Sequence, residues 1–265
     1  MTNIDLRPVA RDDQRAPHVE PAREAWWTVR RAGVVAGVAL LVMVALAAFA
    51  DFVVVQGMLT PDDGPATAAE IVAGEGTFRL GVLAWLLIVV LDVVIAWALY
   101  RVFRPVSPAV SMLAAVFRFA YAAVLLVAVG QLLRAVDVLT ADSTLTASGA
   151  DGVGGRALLE LNAFQDLYDL GLFLFGIHLA LLGYLSLRSD FVPKIVGALL
   201  VVAGVGYAFD TVGAVLDLEL PSVSVFTFLG ELLLALWLLI ARRRLRAVES
   251  ARVTEVRQRL SGAGG

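Results

Sequence analysis

Residues 78–100 read FRLGVLAWLLIVVLDVVIAWALY, apolar throughout except for Arg79 near the start and Asp92 deep inside the run. A helix of that length rises about 34 Å, enough to cross about 30 Å of hydrocarbon. So long a run with so little charge has no use in water, and its one acidic residue falls where lipid or protein would surround it.

Outward from this segment, further apolar runs recur at 32–55, 109–133, 166–187, 195–216 and 225–241. The composition agrees. Of 265 residues, 60% are apolar and 17% charged, and the mean hydropathy is +0.83. Soluble domains run at roughly 45–50% apolar and about 25% charged. The expected fold class is therefore all-α: a polytopic six-helix transmembrane bundle. Ala48-Phe49-Ala50 after Arg30-Arg31 imitates a cleavable signal, but the apolar run continues to Val55, which is span length.

Basic residues set the expected direction, because arginine and lysine are retained on the cytoplasmic side. Arg7, Arg11, Arg15, Arg23, Arg30 and Arg31 precede the first run, Arg101 and Arg104 follow the second, and Arg188 and Lys194 follow the fourth. A cluster from Arg242 to Arg259 closes the chain, whereas Asp62, Asp63, Glu70, Glu75, Asp142, Asp151 and Glu219 mark the other connectors. Both termini are expected to be cytoplasmic, in the cell (inner) membrane. Residues 1–31 read as a disordered cytoplasmic tail, 32–241 as the membrane domain and 242–265 as a basic cytoplasmic tail lying along anionic headgroups.

The connectors carry turn residues: Pro61 with Gly64, Pro105 with Ser107 and Pro108, a Gly/Ser/Thr/Asp stretch from Thr140 to Gly155, Pro193, and Pro221 with Ser222. Ser107 before Pro108 reads as an N-cap followed by proline at the first helical position. Gly33 and Gly37, Gly176 and Gly183, and Gly197 and Gly204 read as sites of close helix contact.

Four ionisable residues fall at a common depth. Asp92, Arg118, His178 and Glu231 each lie roughly 12–15 Å from the inner end of a different run. A charge at that depth costs roughly 2.5–3.5 kcal/mol on insertion scales, so each is a candidate for function. Two readings stay open. In one, the four form an intramembrane binding site or proton relay, with Arg118 neutralised by one or both carboxylates. In the other, they form an arginine–carboxylate clamp that orients helices, with His178 satisfied by a backbone carbonyl. Nearer the outside, Arg79, Tyr207 and Asp210 are candidates for an outer vestibule, and the plainer alternative is an ion pair between Arg79 and Asp210 or Asp51.

The inventory narrows the chemistry. There are no cysteines and two histidines, so thiolate zinc sites, iron–sulfur clusters and bis-histidine haem are not expected. The sole lysine, Lys194, sits in a connector rather than in a span. Gly152-Val153-Gly154-Gly155 lies in an expected acidic outer loop, without the strand or the Lys-Ser/Thr that a phosphate-binding loop needs. No cofactor, metal or nucleic-acid partner is expected. The expected partners are the bilayer and a small-molecule or lipid ligand.

Thr77-Phe78-Arg79-Leu80-Gly81, Leu99-Tyr100-Arg101, Arg104-Pro105-Val106 and Ala114-Ala115-Val116-Phe117-Arg118 occur in that order. They are followed by Phe175-Gly176-Ile177-His178, Leu182-Gly183-Tyr184, Arg188 to Lys194, Gly204-Val205-Gly206-Tyr207, Glu231 and Leu236-Trp237-Leu238-Leu239. This order resembles the bacterial and archaeal membrane family known as domain of unknown function 4386, over residues 30–242. Asp190 stands where similar sequences are expected to carry glycine. The resemblance implies a fold family and no assigned activity. A small-molecule binder or carrier is the leading expectation; an intramembrane acid–base enzyme acting on a lipid or quinone-like substrate and a structural or regulatory subunit are the alternatives.

Overall fold

The computed structural model describes residues 28–140, 149–216, 218 and 228–241, with Arg244, Leu245, Ala247, Ser250, Thr254 and Gln258 of the C-terminal tail. The readings of residues 1–27 and of most of the basic tail lie outside the described residues, as do those of Asp142 and Glu219 and of the turn at Pro221 and Ser222.

Every regular element among the described residues is helical. In chain order they are α1 (Val29–Ala48), a π-helical turn (Phe49–Val55), α2 (Gln56–Met58), α3 (Gly64–Ala73), α4 (Glu75–Phe103), α5 (Pro108–Thr140), α6 (Gly149–Arg188), α7 (Lys194–Val215) and α8 (Phe228–Ile240). α1 starts at Val29 rather than near 32 because the Thr28 hydroxyl accepts the Arg31 N–H at 3.2 Å, an N-cap. α5 starts at Pro108, and the Ser107 hydroxyl accepts from Val110 N at 3.5 Å.

Five helices are long and apolar enough to cross a membrane: Val29–Met58, Glu75–Phe103, Pro108–Thr140, Gly152–Arg188 and Lys194–Val215. At the sixth expected position the described apolar helix is the shorter Leu229–Ile240. Phe52, Leu83, Val90, Val127, Ile195, Val205 and Ile240 point outward, exposed. Such apolar exteriors suit lipid and not water.

Two expected connectors are largely helix. Residues 61–77 hold α3, capped by Asp63 Oδ1, which accepts from Ala66 N at 2.9 Å, with a proline in the first turn. The stretch expected as loop from Thr140 to Gly155 is helical again from Gly149. Gly152 to Gly155 thus belong to α6, a correction with a packing cause. A Cβ on Gly64 would lie 2.7 Å from the Gly154 carbonyl carbon, so the two glycines let the α3 and α6 backbones touch. Beyond them, Ala157, Leu161 and Phe164 are buried at helical spacing. Asp190 does not take a positive φ, so its turn has no need of glycine.

α1, α4, α5, α6, α7 and α8 close a ring in which each packs on the next and α8 returns to α1. Glycines set the tightest approaches. A Cβ on Gly176 would lie 2.6 Å from Gly204 O, and one on Gly183 would lie 2.7 Å from Val201 N, which brings α6 and α7 into backbone contact. Gly33 faces Leu245 and Leu238, and Gly37 faces Leu239 and Ala235. α8 therefore runs antiparallel to α1, and Leu245 lies beside the start of α1.

Candidate functional site

Inside the ring, the Arg118 side chain is the largest that is wholly enclosed among the described residues. α5 carries it inward on the face that also buries Ala114, Ala115, Tyr121 and Ala122. Four other helices, α1, α4, α6 and α8, meet its guanidinium. From α4, Asp92 Oδ1 accepts from Nε at 2.8 Å and lies 2.8 Å from Nη2. From α8, Glu231 Oε1 accepts from Nη1 at 2.9 Å. From α6, His178 Nε2 stands 3.2 Å from Nη1, and from α1 the Met43 sulfur stands 3.7 Å from Nη2. The Phe175 ring lies 5.1 Å from Cζ, a cation–π distance.

His178 has a definite tautomer. Its Nδ1 is 2.8 Å from Ala114 O, and a carbonyl can only accept, so Nδ1 carries the hydrogen and Nε2 accepts from Arg118. Both ring nitrogens are used. Asp92 is less complete: its Oδ2 is buried and has no hydrogen-bond partner among the described residues. Asp92 and Arg118 side chains are fully enclosed, whereas the Glu231 side chain is 16% exposed and is the least enclosed of the three.

The structure thus joins all four residues that sequence depth had grouped. It adds groups that depth could not reveal: Met43, Phe175 and the Ala114 carbonyl. Met and Phe in an apolar run carry no signal of proximity to a charge, and a backbone carbonyl carries none in any sequence. Around Phe175, Tyr121 lies at 4.9 Å and Tyr207 at 5.7 Å between ring centroids, an aromatic shelf built by α5, α6 and α7.

The three outer candidates are not assembled in the same way. Arg79 Nε pairs with Glu75 on its own helix at 2.7 Å, both half-exposed, instead of the expected partner Asp210 or Asp51. Asp51, on the π-helical turn, accepts from Gln56 Nε2 at 2.7 Å. Tyr207 belongs to the aromatic shelf, and Asp210 is half-buried further along α7. Among the described residues, no group of three or more His, Asp or Glu side chains is placed to hold a metal ion.

A ring of apolar helices around an enclosed charged layer defines the class: a helical, multi-pass membrane protein. Residues 35–241 match the family described as Domain of unknown function (DUF4386), and the chain belongs to that family. It is also similar to an uncharacterized protein of Archaeoglobus fulgidus, 37% identical over 164 residues, which cover 62% of this chain and 85% of that one. No solved structure matches the chain significantly.

Proposed function

We propose that this protein is a small-molecule binding protein or carrier of the cell (inner) membrane and that the Arg118 layer is its site. The observation that carries the reading is the convergence of Asp92, His178 and Glu231, from three helices, on one enclosed guanidinium. Convergent polar groups in an apolar bundle, one of them reachable from outside, are the usual form of a membrane ligand site. The ligand takes the place of Glu231 on Nη1. That position favours a carboxylate or phosphate on an apolar or aromatic body that can lie against Phe175, Tyr121 and Tyr207.

The proposal includes six crossings with both ends cytoplasmic. The antiparallel packing of α8 on α1, and Leu245 beside Gly33, support an even number of crossings. The basic connectors support the inward direction.

One observation favours the clamp as a second reading. All three guanidinium nitrogens already have protein partners, and His178 is engaged at both nitrogens. The acid–base enzyme has less support, since both carboxylates of the layer are held by Arg118.

Mass spectrometry of the full chain purified in mild detergent, beside Arg118→Ala and Arg118→Lys, separates the two readings. A small molecule or lipid held by the wild type and lost by a folded variant is the expected result. Wild-type protein that holds nothing specific, with both variants unfolded, would establish the clamp.

A further inference from the structure

The layer's charges do not balance. Among the described residues it holds one cation, Arg118, against two carboxylates, Asp92 and Glu231, while His178 is engaged as an Nδ1–H tautomer between Ala114 O and Arg118. With both carboxylates ionised, a net negative charge would sit at membrane depth, with no second cation in the layer among the described residues to offset it.

The two oxygens of Asp92 differ in a way that locates the compensation. Oδ1 lies 2.8 Å from both Nε and Nη2 of Arg118, whereas Oδ2, equally buried, has no hydrogen-bond partner among the described residues. A buried ionised oxygen without a donor is far costlier than a buried hydroxyl without an acceptor. Protonation at Oδ2 removes that cost and leaves the contacts of Oδ1 in place.

The groups facing Asp92 supply no alternative compensation. α5 brings Arg118 and Tyr121, α6 brings His178 and Tyr168, and α8 brings Glu231. α1 brings the Met43 thioether to the layer, and the Asp51 carboxylate of the π-helical turn is engaged with Gln56. On α4 itself, Arg79 is held by Glu75.

We propose that the central layer is a binding site for one proton, seated on Asp92 Oδ2, with Glu231 as the ionised partner of Arg118. This goes beyond the ligand reading, because the proton belongs to the layer whether or not a small molecule binds there.

Infrared spectroscopy of the full chain in phosphatidylcholine vesicles at neutral pH tests it, with spectra compared in H2O and D2O. The expected result is a carboxylic-acid C=O band in the wild type that shifts on deuteration, moves to lower frequency when the aspartate carboxyls carry carbon-13, and is lost in Asp92→Asn; Glu231→Gln, which leaves one carboxylate to balance Arg118, is expected to lose it as well. Asparagine has the shape of the protonated acid, so that variant is expected to fold. A wild type without such a band overturns the proposal whatever the variants do. A band that survives in Asp92→Asn, or that does not move when the aspartates are labelled, overturns the assignment to Asp92. Either failure leaves the mass-spectrometric test of ligand binding unaffected, so the two readings fail separately.

Discussion

The Arg118 guanidinium is shared unequally: Asp92 Oδ1 lies against two of its nitrogens and Glu231 Oε1 against one. The partners differ in burial as well, since Asp92 is enclosed and Glu231 is not. Removing an enclosed acceptor leaves the Arg118 Nε and Nη2 contacts unmade, a loss on the order of 3–6 kcal/mol at roughly 1.5–3 kcal/mol for each hydrogen bond to a charged group. Asp92→Ala is therefore expected to lower stability by roughly that much. Glu231→Gln, which keeps an oxygen at the Arg118 Nη1 position, is expected to cost about 1 kcal/mol. Thermal unfolding of both variants in the same detergent checks the order, and equal losses would mean that the layer does not depend on the geometry at Asp92. At this scale the four layer residues were legible in the sequence, because an ionisable residue stands out in an apolar run and the helical rise converts its position into depth. Their rotation about the helix axis was not legible. Depth placed Arg118 and Asp92 at one height, and only packing turned them toward each other.

Between elements, the glycines decide how closely helices approach. Gly176 and Gly204 bring α6 and α7 together so tightly that a Cβ on Gly204 would collide with Gly176 O and the Ala180 backbone. Neither obstacle can move as a side-chain tip would. Gly204→Val is expected to destabilise the bundle by about 1–3 kcal/mol, the usual cost of overpacking. Gly130, with nothing near its Cβ direction, is the control, and Gly130→Ala is expected to leave the melting temperature unchanged or raised. A Gly204→Val protein that melts with the wild type would show that α6 and α7 can separate without loss. The contact role of these glycines was readable from their spacing. The extension of α6 back to Gly149 was not, since a run of glycines, Asp151 and Val153 reads locally as loop, and its helix depends on contact with α3. The start of α3 did leave a signal in Asp63-Gly64-Pro65, an N-cap followed by a proline in the first turn.

At the scale of the whole molecule, the ring closes because α8 lies back on α1, which places Leu245 next to Gly33 and ties the two ends of the membrane domain together. Trp237 fastens the same region: its Nε1 donates to Phe191 O in the connector between α6 and α7 at 2.8 Å. Because the chain has no cysteine, a single one can be introduced at residue 10 or at residue 262 as a reporter. Neither is expected to react with an impermeant maleimide in intact cells, and both are expected to react after lysis. Labelling of one end in intact cells would mean an odd number of crossings.

The sequence by itself determined the class of the molecule. Apolar runs of span length cannot be solvated by water, and their composition is visible without any tertiary contact, so a helical membrane protein and the depth of its charged residues followed directly. Tertiary structure alone decided which of those residues meet. It placed Glu231 beside Arg118 although α8 lies far along the chain, paired Arg79 with Glu75 on its own helix, and left one oxygen of Asp92 without a donor among the described residues. Height in the bilayer is a one-dimensional property that residue counting supplies. Facing and pairing are set by the order in which helices pack around the ring, and that order is a property of the folded chain.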